Sequence, residues 1–175
     1  MKEMKYPKVI ILTGPCGVGK TTISRRCLEH IDAEYISGDE IAKRLFPAIS
    51  YITKYPEKLA IVKDEILALS KRYFHDQEKT VLIDYVILGV DFISKFKETF
   101  KSNLVIKVLL PDREVIYQRD RERDCWESGR AMIDLLYDKY AALRGTIGAE
   151  NYIDNGKETV EETVHQLVAE IVKQE

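Results

Sequence analysis

Cysteine is scarce in this 175-residue chain: Cys16, Cys27 and Cys125 are the only three, an odd number with no metal-ligand spacing among them. That excludes a disulfide framework or a cysteine zinc motif and points to reduced thiols, so neither disulfides nor zinc are expected. Long apolar runs are missing as well. The longest, around Val9 to Leu12 and Leu104 to Leu110, fall far short of the ~20 residues a membrane span requires. Met1 to Tyr6 has no secretory apolar region, so the expected location is cytoplasmic, with no membrane partner. A surplus of one charge is also lacking. The 27 Lys and Arg against 29 Asp and Glu leave a formal charge of -2, which offers no general attraction to nucleic acid or an anionic membrane. No repeat, low-complexity tract or linker divides the sequence.

What is present is the balance of a globular chain, 45% hydrophobic and 32% charged, at a length suited to one domain of roughly 100 to 200 residues. Short β-branched runs at residues 8–12, 34–37, 80–83, 104–110 and 151–154 read as five strands. Helical spacing appears over residues 20–30, 39–45, 57–74, 91–100, 113–123, 130–143 and 158–173. In the last of these Val160, Val164, Leu167, Val168, Ile171 and Val172 keep one apolar face. Alternating strands and helices predict an α/β fold, a parallel sheet covered on both faces.

The stretch Gly14-Pro15-Cys16-Gly17-Val18-Gly19-Lys20-Thr21 matches G-x-x-x-x-G-K-[ST] between the first strand and the first helix, the context in which that pattern cradles phosphates. Glycines let successive backbone N–H groups turn toward phosphate oxygens, and the helix N-terminus adds positive potential. Lys20 would reach the β- and γ-phosphates and the Thr21 hydroxyl would ligate Mg²⁺, with Thr22 completing the loop. The glycine positions do not fit the dinucleotide pattern G-x-G-x-x-G. No histidine is near Cys16 in sequence, so it reads as a small loop residue and not as a nucleophile.

Ligands in parallel sheets gather beyond the C-terminal strand ends, and two acids stand there. Asp84 closes Thr80-Val81-Leu82-Ile83 and fits a Mg²⁺-holding or substrate-facing carboxylate; a helix cap or turn is the alternative. Asp39 follows Tyr35-Ile36-Ser37-Gly38. It either caps the next helix or accepts the proton of an attacking hydroxyl. Arginines cluster between the fourth strand and the helix at Arg130. Alternating charge there fits a solvated face, but guanidinium groups also suit phosphate. Arg119 and Arg123, four apart on one helical face, are then the phosphate-facing pair, followed by Arg130, with Ser128 and Gly129 as hinge points.

Gly14 to Thr21, Tyr35 to Asp39, Val81 to Gly89 and Arg119 to Arg130 together resemble the P-loop kinase group of adenylate, shikimate and gluconate kinases and chloramphenicol phosphotransferase. The last is nearest in pattern, since an acid follows strand two and the third strand continues Ile83-Asp84-Tyr85-Val86-Ile87-Leu88-Gly89. Antibiotic modification does not follow from that. The resemblance implies one three-layer domain over residues 1–175 with strand order 2-3-1-4-5, an acceptor region at about 41–77 and a lid at about 119–130. It also implies the base role for Asp39 and adenine contact near Ile153-Asp154-Asn155-Gly156, where Asp154 is the candidate. Phe46, Tyr51 and Tyr55 would wall the acceptor pocket or else be ordinary aromatics, and Arg44 would meet any negative group. Two departures stand out. Gly38 replaces the first of shikimate kinase's paired acids, and Tyr85 follows Asp84 where adenylate kinase has Asp-Gly-x-Pro.

The expected activity is transfer of the γ-phosphoryl group of ATP, with Mg²⁺, to a hydroxyl of a metabolite, nucleoside or antibiotic, by a monomer or homodimer. The alternatives are a polynucleotide 5′-hydroxyl or sugar-nucleotide kinase, which should bring a basic groove, and a non-enzymatic ATP-dependent switch.

Overall fold

The computed structural model describes residues 7–50, 52–123 and 127–173. Its centre is β1 (Val9–Thr13), buried along its whole length between β3 (Val81–Asp84) and β4 (Leu104–Leu109). Outside them lie β2 (Glu34–Ser37) and β5 (Tyr152–Ile153), giving a five-stranded sheet in the order β2-β3-β1-β4-β5, parallel in every pairing. This is the expected P-loop topology.

Alternation of side chains across a strand divides the core into two layers. Val9, Ile11, Val81, Ile83, Ile106 and Val108 face one side. They pack against α2 (Gly38–Leu45), α3 (Pro56–Lys71), α4 (Val90–Phe100) and α6 (Arg130–Ala142), followed by the short α7 (Arg144–Ile147). Ile10, Leu12, Leu82, Val105 and Leu109 face the other, against α1 (Lys20–Cys27), α5 (Arg113–Arg121) and α8 (Val160–Lys173). Lys107 shares that second face. It is buried with its ammonium 2.7 Å from the Glu170 carboxylate on α8, an arrangement that satisfies a charge otherwise costly to bury.

The sequence periods place the elements well and their ends less well. α1 stops at Cys27, three residues early, because Leu28 to Ile31 turn back on it: His30 and Ile31 both donate to the Cys27 carbonyl. β5 has only two paired residues, since it lies at the edge and borrows from β4 alone. A π turn at Arg72–Asp76 carries the chain out of α3.

Candidate functional site

The strand register brings the chemistry together. Asp84 is opposite Leu12 on one side and Ser37 on the other, so the loop after β1, the end of β3 and the start of α2 meet at one edge of the sheet. A cleft of about 850 Å³ opens there, lined among others by Cys16 to Thr22, Asp39, Arg119, Arg123 and Asn155.

Backbone geometry makes the phosphate loop. Gly14, Gly17 and Gly19 have φ of 145°, 84° and 95°, a region that side chains rarely tolerate. At Gly14 a Cβ would also sit 2.4 Å from the Leu109 carbonyl oxygen, so no other residue fits. Gly19 caps α1 without a side-chain acceptor, leaving the first N–H groups of the helix open to an anion. The Lys20 ammonium donates to the carbonyls of Gly14 at 3.0 Å and Pro15 at 2.8 Å, which holds it across the loop.

Asp84 is buried, and its Oδ2 accepts from the Thr21 hydroxyl at 2.7 Å and the Tyr35 hydroxyl at 2.9 Å. A carboxylate and a hydroxyl side by side are hard oxygen donors of the kind Mg²⁺ takes together with phosphate and water, so these residues fit that ion. Burial beside Asp84 raises the Tyr35 phenol, which stays a proton donor. Nothing in the residue pattern marked Tyr35 beyond its place in the second strand.

Asp39 is spared from capping. Ser37 caps α2 instead, its hydroxyl accepting from the Glu40 N–H at 3.3 Å. The Asp39 carboxylate opens onto the cleft yet has protein around its other sides. That partial removal from water raises it above the ordinary carboxylate value, opposed by the charge of Lys20, supported by Asp84 and opposed again by Arg123. Tyr85 lies against the same pocket, and a Cβ on Gly38 would stand 2.1 Å from its ring. The two departures from the kinase patterns, Gly38 and Tyr85, are therefore one steric pair: the ring fills the space a side chain at 38 would need.

Arg119 donates to the Asn155 carbonyl at 2.8 Å, and the Asn155 amide donates to the Val18 carbonyl at 3.0 Å. Together they brace the phosphate loop from the β5 side. Asn155 Oδ1 is buried in the cleft wall without a partner among the described residues. Its neighbour Asp154 instead accepts from the Gly156 N–H in a tight turn outside the lining, so it is Asn155 that faces the cleft. The segment was legible, but polarity alone could not say which of its side chains turns inward.

Two further candidates, Arg44 and Arg130, stand apart. Arg44 points its guanidinium to Glu65, 2.9 Å away on α3. Arg130 stacks over Tyr117, 4.6 Å from the ring centroid. Neither lines the cleft, nor do Phe46 and Tyr55; Tyr51 lies outside the described residues. Arg123 does line it, within electrostatic reach of Asp39. Of the span 119–130, residues 124–126, which include Cys125, lie outside the described part.

Sequence reading overlooked Asp120. It is buried and accepts from the N–H groups of Ser128 at 3.0 and 2.8 Å and of Gly129 at 3.0 Å. Burial pushes this carboxyl up, but those bonds outweigh it and hold it below the usual value. Among alternating charges nothing set this acid apart from Glu122.

Comparison with known proteins accords with this geometry. The model of a family described as AAA domain matches residues 9–131. Among curated proteins, the ATPase subunit HslU of an ATP-dependent protease from Dinoroseobacter shibae is 27% identical over 113 residues, 59% of this chain. The match covers 25% of that protein, so the chain spans about a quarter of the length of such relatives. Among solved structures, a gluconokinase from Sinorhizobium meliloti superposes with a TM-score of 0.69 at 18% identity, covering 96% of this chain and 93% of the other. The tunicamycin resistance protein of Deinococcus radiodurans gives 0.68 at 18% identity, with 94% and 95% covered. These likenesses establish the fold.

Proposed function

This chain belongs to the AAA domain family, and from that premise we propose that it is an ATP-dependent kinase acting on a hydroxyl of a small molecule. The observation that carries the reading is Asp39, a carboxylate relieved of capping by Ser37 that lines the same cleft as Lys20. A nucleotide-binding switch has no use for a carboxylate raised in that position. A kinase needs one to orient the attacking hydroxyl and take its proton.

In this reading the phosphate loop and Lys20 hold the ATP phosphates, and Thr21 with Asp84 would hold Mg²⁺. When bound, that ion neutralises charge on the phosphate oxygens. As the acceptor oxygen bonds to the γ-phosphorus, its proton passes to Asp39. The bond to the bridging oxygen breaks and its electron pair leaves with ADP. Lys20 and Arg123 face the charge that develops, while Arg119 acts mainly by bracing Asn155 and the loop. The unpaired Asn155 Oδ1 is an acceptor suited to an N–H donor of the bound nucleotide.

The acceptor half of the cleft is mostly apolar, with Pro47, Ile49, Ile52, Leu59, Leu88 and Met132 in its wall beside Lys43 and Ser50, and Lys63 donating to the Leu88 carbonyl at 3.0 Å. Such a wall suits an acceptor with a hydrophobic body better than a polyhydroxy acid such as gluconate, and better than a nucleic-acid backbone. The test is incubation with Mg-ATP and two pools, one of alcohols with aromatic or alicyclic bodies and one of sugar acids and nucleosides, read by mass spectrometry. Gain of a phosphoryl group in the first pool is expected. Gain only in the second would move the substrate class, and gain in neither, with ATP bound, would remove the kinase reading.

A further inference from the structure

The helix that carries Lys20 and Thr21 has a second end, away from the cleft. There α1 finishes at Cys27 and the backbone turns, with the His30 N–H donating to the Cys27 carbonyl at 2.9 Å. This sets His30 beside α8. On α8, Glu161 and His165 are four residues apart and so share one face. The rings of His30 and His165 meet edge to face with centroids 5.5 Å apart. One donor atom from each of His30, Glu161 and His165 lies within 4.8 Å of the other two.

Neighbouring charge favours a cation despite Arg26. Its guanidinium donates through Nε and Nη2 to Glu161 Oε1 and through Nη1 to both oxygens of Glu29, at 2.8 and 3.0 Å. Arg26, Glu29 and Glu161 together carry one net negative charge. Arg26 also orients the Glu161 carboxylate and leaves Oε2 outside the bridge, the arrangement by which an outer partner positions a metal ligand.

We propose that His30, Glu161 and His165 form a binding site for a late first-row divalent cation, Zn²⁺ in particular, which pins the far end of the phosphate-loop helix to α8. Two imidazole nitrogens and one carboxylate oxygen make a three-ligand set that leaves a fourth position to water. The cysteine spacing argues against zinc in this chain, but these ligands are histidines and a carboxylate, brought together only by packing. Bonds of about 2.0 to 2.2 Å require the donors to draw together by roughly 1 Å, which rotation of the exposed His165 side chain supplies. Mg²⁺ prefers oxygen ligands and does not compete here.

The full chain, stripped by a chelator, is titrated with ZnCl₂ by calorimetry without nucleotide and followed by thermal melting. Saturation at one ion per chain is expected, with a raised Tm and no effect of millimolar Mg²⁺. His165→Ala, at an exposed position, should keep the fold and weaken Zn²⁺ binding at least about tenfold, and Glu161→Gln should weaken it too. Failure to saturate overturns the proposal. So does undiminished binding in His165→Ala, which would move the ion to the thiols.

Discussion

A single methylene decides the shape of the pocket behind Asp39. A Cβ at residue 38 would fall on the Tyr85 ring, so Gly38→Ala is expected to cost about 1 to 3 kcal/mol by overpacking, read as a lower urea midpoint. In a Tyr85→Ala background, which leaves a cavity of its own, Gly38→Ala should cost less than it does in the parent; equal costs in the two backgrounds would deny the pairing. Asp39 itself makes a pH prediction. A base must be ionised, so kcat falls as pH drops through its pKa, which burial raises above the ordinary carboxylate value against the opposing charges of Lys20 and Arg123. The acidic limb of the kcat profile should therefore lie on the high side of the ordinary aspartate value and move to higher pH in Arg123→Ala, which removes a lowering charge. In Asp39→Asn kcat should fall about 10² to 10⁴-fold and the limb should vanish. Because an ionised carboxylate in that setting disfavours folding above its pKa, the same variant should melt no lower than the parent at neutral pH.

At the level of elements, the approach to α6 hangs on Asp120, whose carboxylate ties the backbone at Ser128 and Gly129 to α5. Asp120→Ala leaves those N–H groups without their acceptor and is expected to cost about 1 to 3 kcal/mol, with faster hydrogen exchange at 128 and 129. Unchanged exchange there would contradict the tie. The lowered carboxyl gives the sign of its pH dependence: this contribution is present above the unfolded value and lost as pH falls through the folded one. Arg119 and Arg123 should part company. Arg119→Ala, by releasing Asn155, should weaken ATP binding and kcat together, whereas Arg123→Ala should lower kcat more than affinity. The five strands and most helices were legible because their periods of two and near four survive in the apolar pattern, whereas the strand order came from the kinase resemblance. The extent of β5 and the short α7 were not legible: β5 pairs only two of the four residues read as a strand, and α7 buries too few to show a period. Asn155 owes its role to a partner distant in sequence, and Asp120 owes its own to the backbone of Ser128 and Gly129 coming back to it.

For the molecule as a whole, the sheet edge gathers Lys20, Thr21, Asp39 and Asp84 from segments separated by up to 64 positions in the numbering. The motif and the strand ends announced those four, and the charge cluster after the fourth strand announced the arginines. The composition of the acceptor wall was not legible, since Pro47, Ile49 and Ile52 come from a segment without regular spacing whose packing alone turns them inward. The wall and the uncommitted base together argue for transfer to an organic acceptor over hydrolysis. The most direct measurement counts products per turnover in the purified chain given Mg-ATP and the hydroxyl pool. The account predicts one phosphorylated acceptor for each ADP released, both lost in Lys20→Ala. Release of ADP matched by inorganic phosphate, with no acceptor gaining a phosphoryl group, would contradict it.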